Sequence, residues 1–187
     1  MESILKQYTS SQIEKAKHIK AIICDVDGVL TDGGIIYDNN GNEFKRFNVK
    51  DGQIISHLKR SGILVGAITG RESEVVKFRC KELNFDFHYH GVKNKLEVYL
   101  EIQEKHNLSD EQIAYIGDDI IDIPIFSHCG LGIAPSDALP YIFDHVSLKT
   151  LAKGGCGVLR ESADFILASQ SKMEAIINFY KADKPNL

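Results

Sequence analysis

The residues able to do chemistry fall in three short stretches and one isolated lysine: Asp25-Val26-Asp27-Gly28-Val29-Leu30-Thr31, Thr69-Gly70-Arg71, Lys95, and Gly117-Asp118-Asp119-Ile120-Ile121-Asp122. Side chains of these types suit phosphoryl transfer. One carboxylate can attack phosphorus and form an acyl phosphate, and a second, two residues on, can protonate the leaving alcohol and then activate water. A threonine hydroxyl and a lysine ammonium can hold the phosphoryl oxygens. Brought to one rim, so many carboxylates repel one another unless a cation neutralises them, and hard oxygen donors without a Cys or His partner favour Mg²⁺.

The elements that must position these residues are legible as an alternation. Short, continuous apolar runs suit strands buried on both faces: Ala21 to Cys24, Ile63 to Ile68, Phe85 to Tyr89, Ile113 to Ile116, Leu131 to Ile133, and a weaker sixth around Val146. Helical patterns lie between them. Ile54, Ile55 and Leu58 share a face that stops at Gly62; Val75, Val76 and Leu83 form another; Leu96, Tyr99, Leu100 and Gln103 trace a third. This order predicts an α/β fold, a doubly wound, Rossmann-like and mostly parallel sheet with helices on both faces. In such a sheet ligands bind beyond the carboxyl ends of the strands, where the polar stretches stand. A β-hairpin over about 33–49, turning at Asp38-Asn39-Asn40-Gly41, should project after the first strand. The C-terminal tail over about 151–187 reads as a glycine-rich hinge, Gly154-Gly155-Cys156-Gly157, followed by an amphipathic helix, and Gln12 to Ile19 as a short packing helix.

A chain of 187 residues can bury roughly 70% of its unfolded surface, so a single domain over 1–187 is the expectation. Acidic residues outnumber Lys plus Arg by 26 to 22, which argues against nucleic acid or an anionic membrane as the main partner. No apolar run is long enough to span a membrane and the start carries no apolar signal core, so the expected home is the cytoplasm. Cys24, Cys80, Cys129 and Cys156 form no C-x-x-C pair and read as reduced core residues.

The motifs, in this order, resemble those of the haloacid dehalogenase-like phosphatases. That resemblance implies Asp25 as nucleophile, Asp27 as general acid and base, and Thr69 and Lys95 as holders of the phosphoryl group. It implies Mg²⁺ bound by Asp25, Asp27 through its backbone carbonyl, and Asp118, with Asp119 or Asp122 in support. Only 44 positions separate Asp25 from Thr69 and 26 separate Thr69 from Lys95, too few for a cap domain. Within the family the likeness is closest to the capless phosphatases of 3-deoxy-D-manno-octulosonate 8-phosphate, enzymes of lipopolysaccharide precursor synthesis. It runs from about Lys20 to Leu167 and includes Asn48-Val49-Lys50-Asp51-Gly52 and Gly154-Gly155-Cys156-Gly157-Val158-Leu159-Arg160-Glu161. It implies a homotetramer built through the hairpins, with the glycine-rich tail reaching a neighbour's site. It also implies that the substrate is a small phosphorylated sugar acid met by Asp27, Asn48, Val49, Lys50, Asp51, Gly52, Arg71, Arg79 and Lys95. Ser56 stands where some members carry Arg, which leaves open a nine-carbon relative such as 2-keto-3-deoxynonulosonate 9-phosphate.

Other readings compete with these. A receiver-type phosphoacceptor domain also gathers Asp, Thr and Lys on such a sheet, but places its acidic pair first and its lysine last, whereas here Lys95 precedes Gly117-Asp118-Asp119. A non-catalytic scaffold would not need the full set. Asp51 could instead cap a helix, and Arg79 could be ion-paired. His88 and His90 share one face of the third strand, but the sequence offers no evident third ligand and they read as edge packing. The glycine-rich loop lacks the Lys-Ser/Thr of a P-loop.

Overall fold

The computed structural model describes residues 2–182. The end residues of the 1–187 domain, and the last five of the 151–187 tail, therefore lie outside the described residues. In chain order the elements are α1 (Glu2–Leu5), α2 (Ser10–Lys17), β1 (Ala21–Cys24), β2 (Ile36–Tyr37), β3 (Glu43–Phe44), α3 (Val49–Arg60), β4 (Leu64–Ile68), α4 (Glu74–Glu82), β5 (Phe87–Tyr89), α5 (Lys95–His106), β6 (Ile113–Ile116), α6 (Ile123–Phe126), β7 (Leu131–Ala134), β8 (Leu148–Lys149), α7 (Val158–Ser169) and α8 (Met173–Lys181). Six strands form one sheet in the order β5-β4-β1-β6-β7-β8, and every pair within it is parallel.

The apolar runs form strands because helices cover both faces of the sheet. All four residues of β1, β6 and β7 are buried. One core layer joins alternate strand residues such as Ile22, Cys24, Val65 and Ile116 to α3, α4 and α7. The other joins Ile23, Ile68, Tyr115 and Phe87 to α5 and α6. β1 pairs with β4 on one side and β6 on the other, in a register that sets Cys24 beside both Ala67 and Ile116. The polar stretches that follow these three strands therefore leave the sheet at the same edge.

Several expectations shift in detail. The sixth strand is Leu148–Lys149 rather than a run around Val146, because the chain is still turning at Val146 and first meets β7 through the Ser147 amide and the Gly132 carbonyl, 2.9 Å apart. In α5, Leu100 is 46% exposed, and the face turned to the core holds Lys95, Tyr99 and Ile102 instead. In α4 the buried positions are Val76 and Cys80, with Val75 only half-buried. Val49 begins α3 rather than ending the hairpin, since Asn48 caps the helix by accepting from the Lys50 amide at 2.9 Å. Cys24 and Cys80 are buried, Cys129 is half-buried and Cys156 is exposed, so only the first two read correctly as core.

The C-terminal region departs furthest. Helix α7 is not a tail: Val158, Leu159, Ala163, Phe165, Ile166 and Leu167 are fully buried, and α7 packs on α1, α2 and α3. Nor is the glycine-rich loop a hinge. A Cβ at Gly154 would lie 2.2 Å from the Gly28 carbonyl oxygen, and one at Gly155 (φ +68°) would lie 2.6 Å from the Asp32 nitrogen. Glycine is required there because two backbones touch, and the Gly155 amide donates to the Val29 carbonyl at 3.0 Å. The loop clamps the segment that follows β1.

Candidate active site

Asp25 is the first residue past β1, and its amide donates to the Ile116 carbonyl at 2.8 Å. One carboxylate oxygen accepts from the Val26 amide at 2.7 Å, and the other lies 2.9 Å from Lys95 Nζ. Lys95 starts α5, is buried, and reaches Asp122 Oδ1 at 2.7 Å with its other contact. Burial disfavours the Lys95 ammonium, but Asp25 and Asp122 outweigh that and raise its pKa, so the lysine is a fixed charge between two carboxylates.

Asp122 is fully buried and saturated. Its Oδ1 also accepts from the Tyr115 hydroxyl at 2.6 Å, and its Oδ2 accepts the amides of Asp118 at 3.0 Å and Asp119 at 3.2 Å. It braces the loop after β6 rather than facing a ligand. Asp119 is half-buried and spends one oxygen on the Ile120 amide at 2.6 Å. Of the two supporting acids that the sequence left open, Asp122 is the one that holds Lys95 and Asp118 in place.

Asp118 differs from both. Its Oδ1 is buried without a hydrogen-bond partner. Oxygens of Asp25, Asp118 and Asp122 lie within 4.8 Å of one another. Burial, with Asp25 and Asp122 nearby, pushes the Asp118 carboxyl up to about 8, and burial pushes Asp25 up to about 6 despite Lys95. Gly28 (φ +86°) faces this group so closely that a Cβ there would lie 2.0 Å from Asp118 Oδ2. Two carboxyls reluctant to ionise, one with an orphaned oxygen and hard donors throughout, suit a small dication such as Mg²⁺.

Asp27 faces the hairpin. One oxygen accepts from Thr31 Oγ1 at 3.3 Å and is held by the buried ammonium of Lys45; the other lies 3.6 Å from Arg71 Nε. Arg71 also reaches Glu43 Oε1 at 3.1 Å and the Tyr37 hydroxyl at 3.3 Å, and Glu43 is bonded in turn by Ser73. The hairpin thus lies across its own subunit's rim through Tyr37, Glu43 and Lys45. The sequence reading missed Lys45 and Glu43. A cation and an acid on the hairpin read as surface polarity, and only the fold turns them toward Asp27 and Arg71.

Thr69 is buried at the end of β4, with its hydroxyl 3.3 Å from the Arg71 amide. Its backbone exchanges hydrogen bonds with the end of β5 and the segment after it, donating to the Tyr89 carbonyl at 3.0 Å and accepting from the Val92 amide at 3.0 Å. The rim therefore gathers Asp25, Asp27, Thr69, Arg71, Lys95, Asp118 and Asp119.

The other expected substrate contacts divide. Asn48 caps α3, and its amide group lies 3.4 Å from the Gly155 carbonyl. Val49 and Lys50 are exposed. Asp51 points away, its buried carboxylate accepting from the Arg160 amide at 2.8 Å at the start of α7, so it caps a helix other than its own. Gly52 packs beneath Arg79, whose guanidinium pairs with Glu82 at 2.7 Å and stands over the Phe47 ring. Asp51, Gly52 and Arg79 line an apolar crevice between α3 and α4, not the carboxylate rim. Ser56 is exposed, its hydroxyl 3.3 Å from the Gln53 carbonyl.

Comparison with known proteins gives a consistent picture. Residues 89–161 match the model of the haloacid dehalogenase-like hydrolase family. The chain is 42% identical over 162 residues to 3-deoxy-D-manno-octulosonate 8-phosphate phosphatase KdsC of Escherichia coli K12, covering 87% of this chain and 86% of that one. The crystal structure of the 3-deoxy-D-manno-octulosonate 8-phosphate phosphatase of Yersinia pestis superposes with a TM-score of 0.88 at 41% identity, covering 89% of this chain and 90% of that chain. That of the Moraxella catarrhalis enzyme, in complex with magnesium ion, phosphate ion and KDO, superposes with a TM-score of 0.90 at 36% identity, covering 92% and 99%.

Proposed function

We infer that this chain, which belongs to the haloacid dehalogenase-like hydrolases and within them groups with the 3-deoxy-D-manno-octulosonate 8-phosphate phosphatases, is a phosphatase that hydrolyses that sugar phosphate to the free sugar acid and phosphate. The observation that carries the reading is the buried bridge from Asp25 through Lys95 to Asp122, beside the orphaned oxygen of Asp118.

In our assignment, Asp25 attacks phosphorus with the oxygen not occupied by the Val26 amide. The P–O ester bond breaks as the Asp25–phosphorus bond forms, and Asp27 gives its proton to the departing sugar oxygen. Asp27 then takes a proton from water, the resulting hydroxide attacks phosphorus, and phosphate leaves with Asp25 restored. Lys95 and the Thr69 hydroxyl hold the phosphoryl oxygens throughout. When bound by Asp25, Asp118 and the backbone carbonyl of Asp27, Mg²⁺ supplies positive charge against the phosphoryl oxygens and relieves the repulsion between the carboxylates. Arg71 is placed to meet the substrate's carboxylate once it releases Glu43.

Two further readings accompany this one. The exposed apolar side chains of the hairpin, Ile35, Ile36, Tyr37 and Phe44, support burial against other subunits, and we assign the active form as a homotetramer. No described helix is long and apolar enough to cross a membrane, and four unpaired cysteines suit a reducing compartment, so we place the enzyme in the cytoplasm.

The test is a comparison of kcat/KM over phosphorylated ulosonates, with acid-quenched protein analysed for covalent phosphate. The eight-carbon substrate should lead, and Asp25→Asn should lose both turnover, by about 10⁴-fold, and the covalent phosphate. Preference for the nine-carbon 2-keto-3-deoxynonulosonate 9-phosphate would reassign the substrate; near-normal turnover in Asp25→Asn would overturn the covalent route.

A further inference from the structure

On the outer edge of the sheet, away from the carboxylates, the fold assembles a second cluster of possible ligands. His88 and His90 stand on one face of β5 and its extension, because strand side chains alternate. Helix α4 crosses that face and brings Cys80 against them, so that one donor atom from each lies within 4.8 Å of the others. Cys80 is the third ligand absent from a reading of the sequence: eight positions before His88, on another element, it carries no spacing signal. We propose that Cys80, His88 and His90 form a binding site for a borderline-soft divalent cation of the zinc class.

The donor set is the first argument. One sulfur and two imidazole nitrogens suit Zn²⁺ and select against Mg²⁺, whereas the all-oxygen group of Asp25 and Asp118 suits Mg²⁺, so the donor chemistry of the two sites differs. The local hydrogen bonding is the second. The two imidazoles share a single contact, His88 Nδ1 to His90 Nε2 at 2.7 Å, and His90 Nδ1 is left buried with no partner. A cation held by three donors at ~2.0–2.3 Å needs them ~3.3–3.6 Å apart, so the 2.7 Å contact between the imidazoles opens by under an ångström and donors up to 4.8 Å apart close by at most ~1.5 Å.

The protonation states of the two histidines favour ligation, and that of the cysteine opposes it. Burial lowers the pKa of His88 and of His90, so both rings are in the neutral, ligating form near pH 7. Burial pushes the Cys80 thiol up to about 11, so the thiol is protonated until it binds. Coordination releases that one proton to solvent as the metal–sulfur bond forms, and no redox partner is needed. Glu72, close to Gly91, is already paired with Lys77, so a water would complete four-coordination.

The site would brace the phosphoryl-holding loop. Three backbone hydrogen bonds tie the end of β5 to the loop after β4: Thr69 amide to Tyr89 carbonyl, Gly91 amide to Arg71 carbonyl at 3.2 Å, and Val92 amide to Thr69 carbonyl. A cation joining β5 to α4 fixes both sides of that loop.

Titration of the metal-free protein with Co²⁺ tests the proposal independently of catalysis. The expected result is an intense thiolate-to-cobalt charge-transfer band, whatever further Co²⁺ the carboxylate rim takes up. The band should persist in Asp118→Asn, vanish in Cys80→Ala and fall at least severalfold in His90→Gln. Absence of the band at saturation, or its survival in Cys80→Ala, overturns the site. Should Cys80→Ala fail to fold, an undiminished band in folded His90→Gln does the same.

Discussion

Lys45, on the hairpin, is buried against the carboxylate of Asp27, the residue assigned to move the proton. The contact joins an exposed hairpin to the carboxylate rim, and Lys45 lies 3.7 Å from Glu43 as well. A hairpin of two-residue strands is too short to hold its own conformation. Its position over the rim therefore depends on Lys45, Glu43 and Arg71.

Removing that tie should act on the chemical step. Lys45→Met is expected to lower kcat about tenfold with a smaller change in KM, because Asp27 loses its orientation rather than the substrate a contact. Steady-state kinetics beside Lys45→Arg, which should recover most of the loss, checks this. An unchanged kcat in Lys45→Met would show that Asp27 is positioned without the hairpin.

Asp122→Ala should damage both stability and turnover. Four hydrogen bonds end on this buried carboxylate, and its loss leaves the Tyr115 hydroxyl and two amides unpaired. Breaking a buried pair on one side costs about 3–5 kcal/mol, readable as a lower denaturation midpoint. In the folded fraction kcat should drop about 100-fold, since Lys95 is then held by Asp25 alone.

The metal-free protein should become less stable as pH rises. Asp25 and Asp118 have folded pKa values of about 6 and about 8, above the ordinary 3.8, so the folded state binds their protons more tightly than the unfolded one. Their ionisation costs stability progressively from about pH 4 to pH 8. Mg²⁺ should raise Tm strongly at pH 8 and little at pH 5. Asp118→Asn should raise the metal-free Tm at pH 8 by a few degrees while abolishing the Mg²⁺ response. Asp51, also pushed to about 6, lies away from the carboxylate rim, so its share of the pH dependence should persist in Mg²⁺. Thermal melts across pH with and without Mg²⁺ decide the point.

Chain termination separates core from appendage. Ending the protein after Thr150 removes α7 and should leave no cooperative unfolding transition. Ending it after Ser171 removes α8, of which Met173 alone is buried, and should cost only a few kcal/mol. Far-UV circular dichroism of the two truncations, with denaturant melts, checks the difference.

The parts of the fold legible in the sequence are those where one local rule decides the outcome. Continuous apolar runs gave five of the six sheet strands, and the motifs near their ends predicted that Asp25, Asp27, Thr69, Lys95 and Asp118 would meet at one rim, because a parallel sheet sends every carboxyl end the same way. Contacts between distant segments left no such trace. Asp51 lies within a helix start and reads as its cap, yet its partner is the amide of Arg160. Lys45 and Glu43 look like ordinary hairpin polarity, and Cys80 looks like core until β5 arrives beside it. Gly154 and Gly155 read as freedom when they mark close contact, since a glycine in sequence does not say which of the two it serves.

That clamp has a consequence for synthesis. All four motifs have been translated by Asp122, but the loop carrying Asp25 and Asp27 is closed by Gly154 and Gly155, and α3 docks on a helix whose capping contact spans 109 positions. A ribosome-bound chain with Asp25, Asp27, Thr69, Lys95 and Asp118 already outside the tunnel would still lack the floor beneath Asp25. Contacts this distant are slow to form, so activity should appear only once α7 has docked. Premature termination anywhere before the end of α7 should yield no partially active fragment.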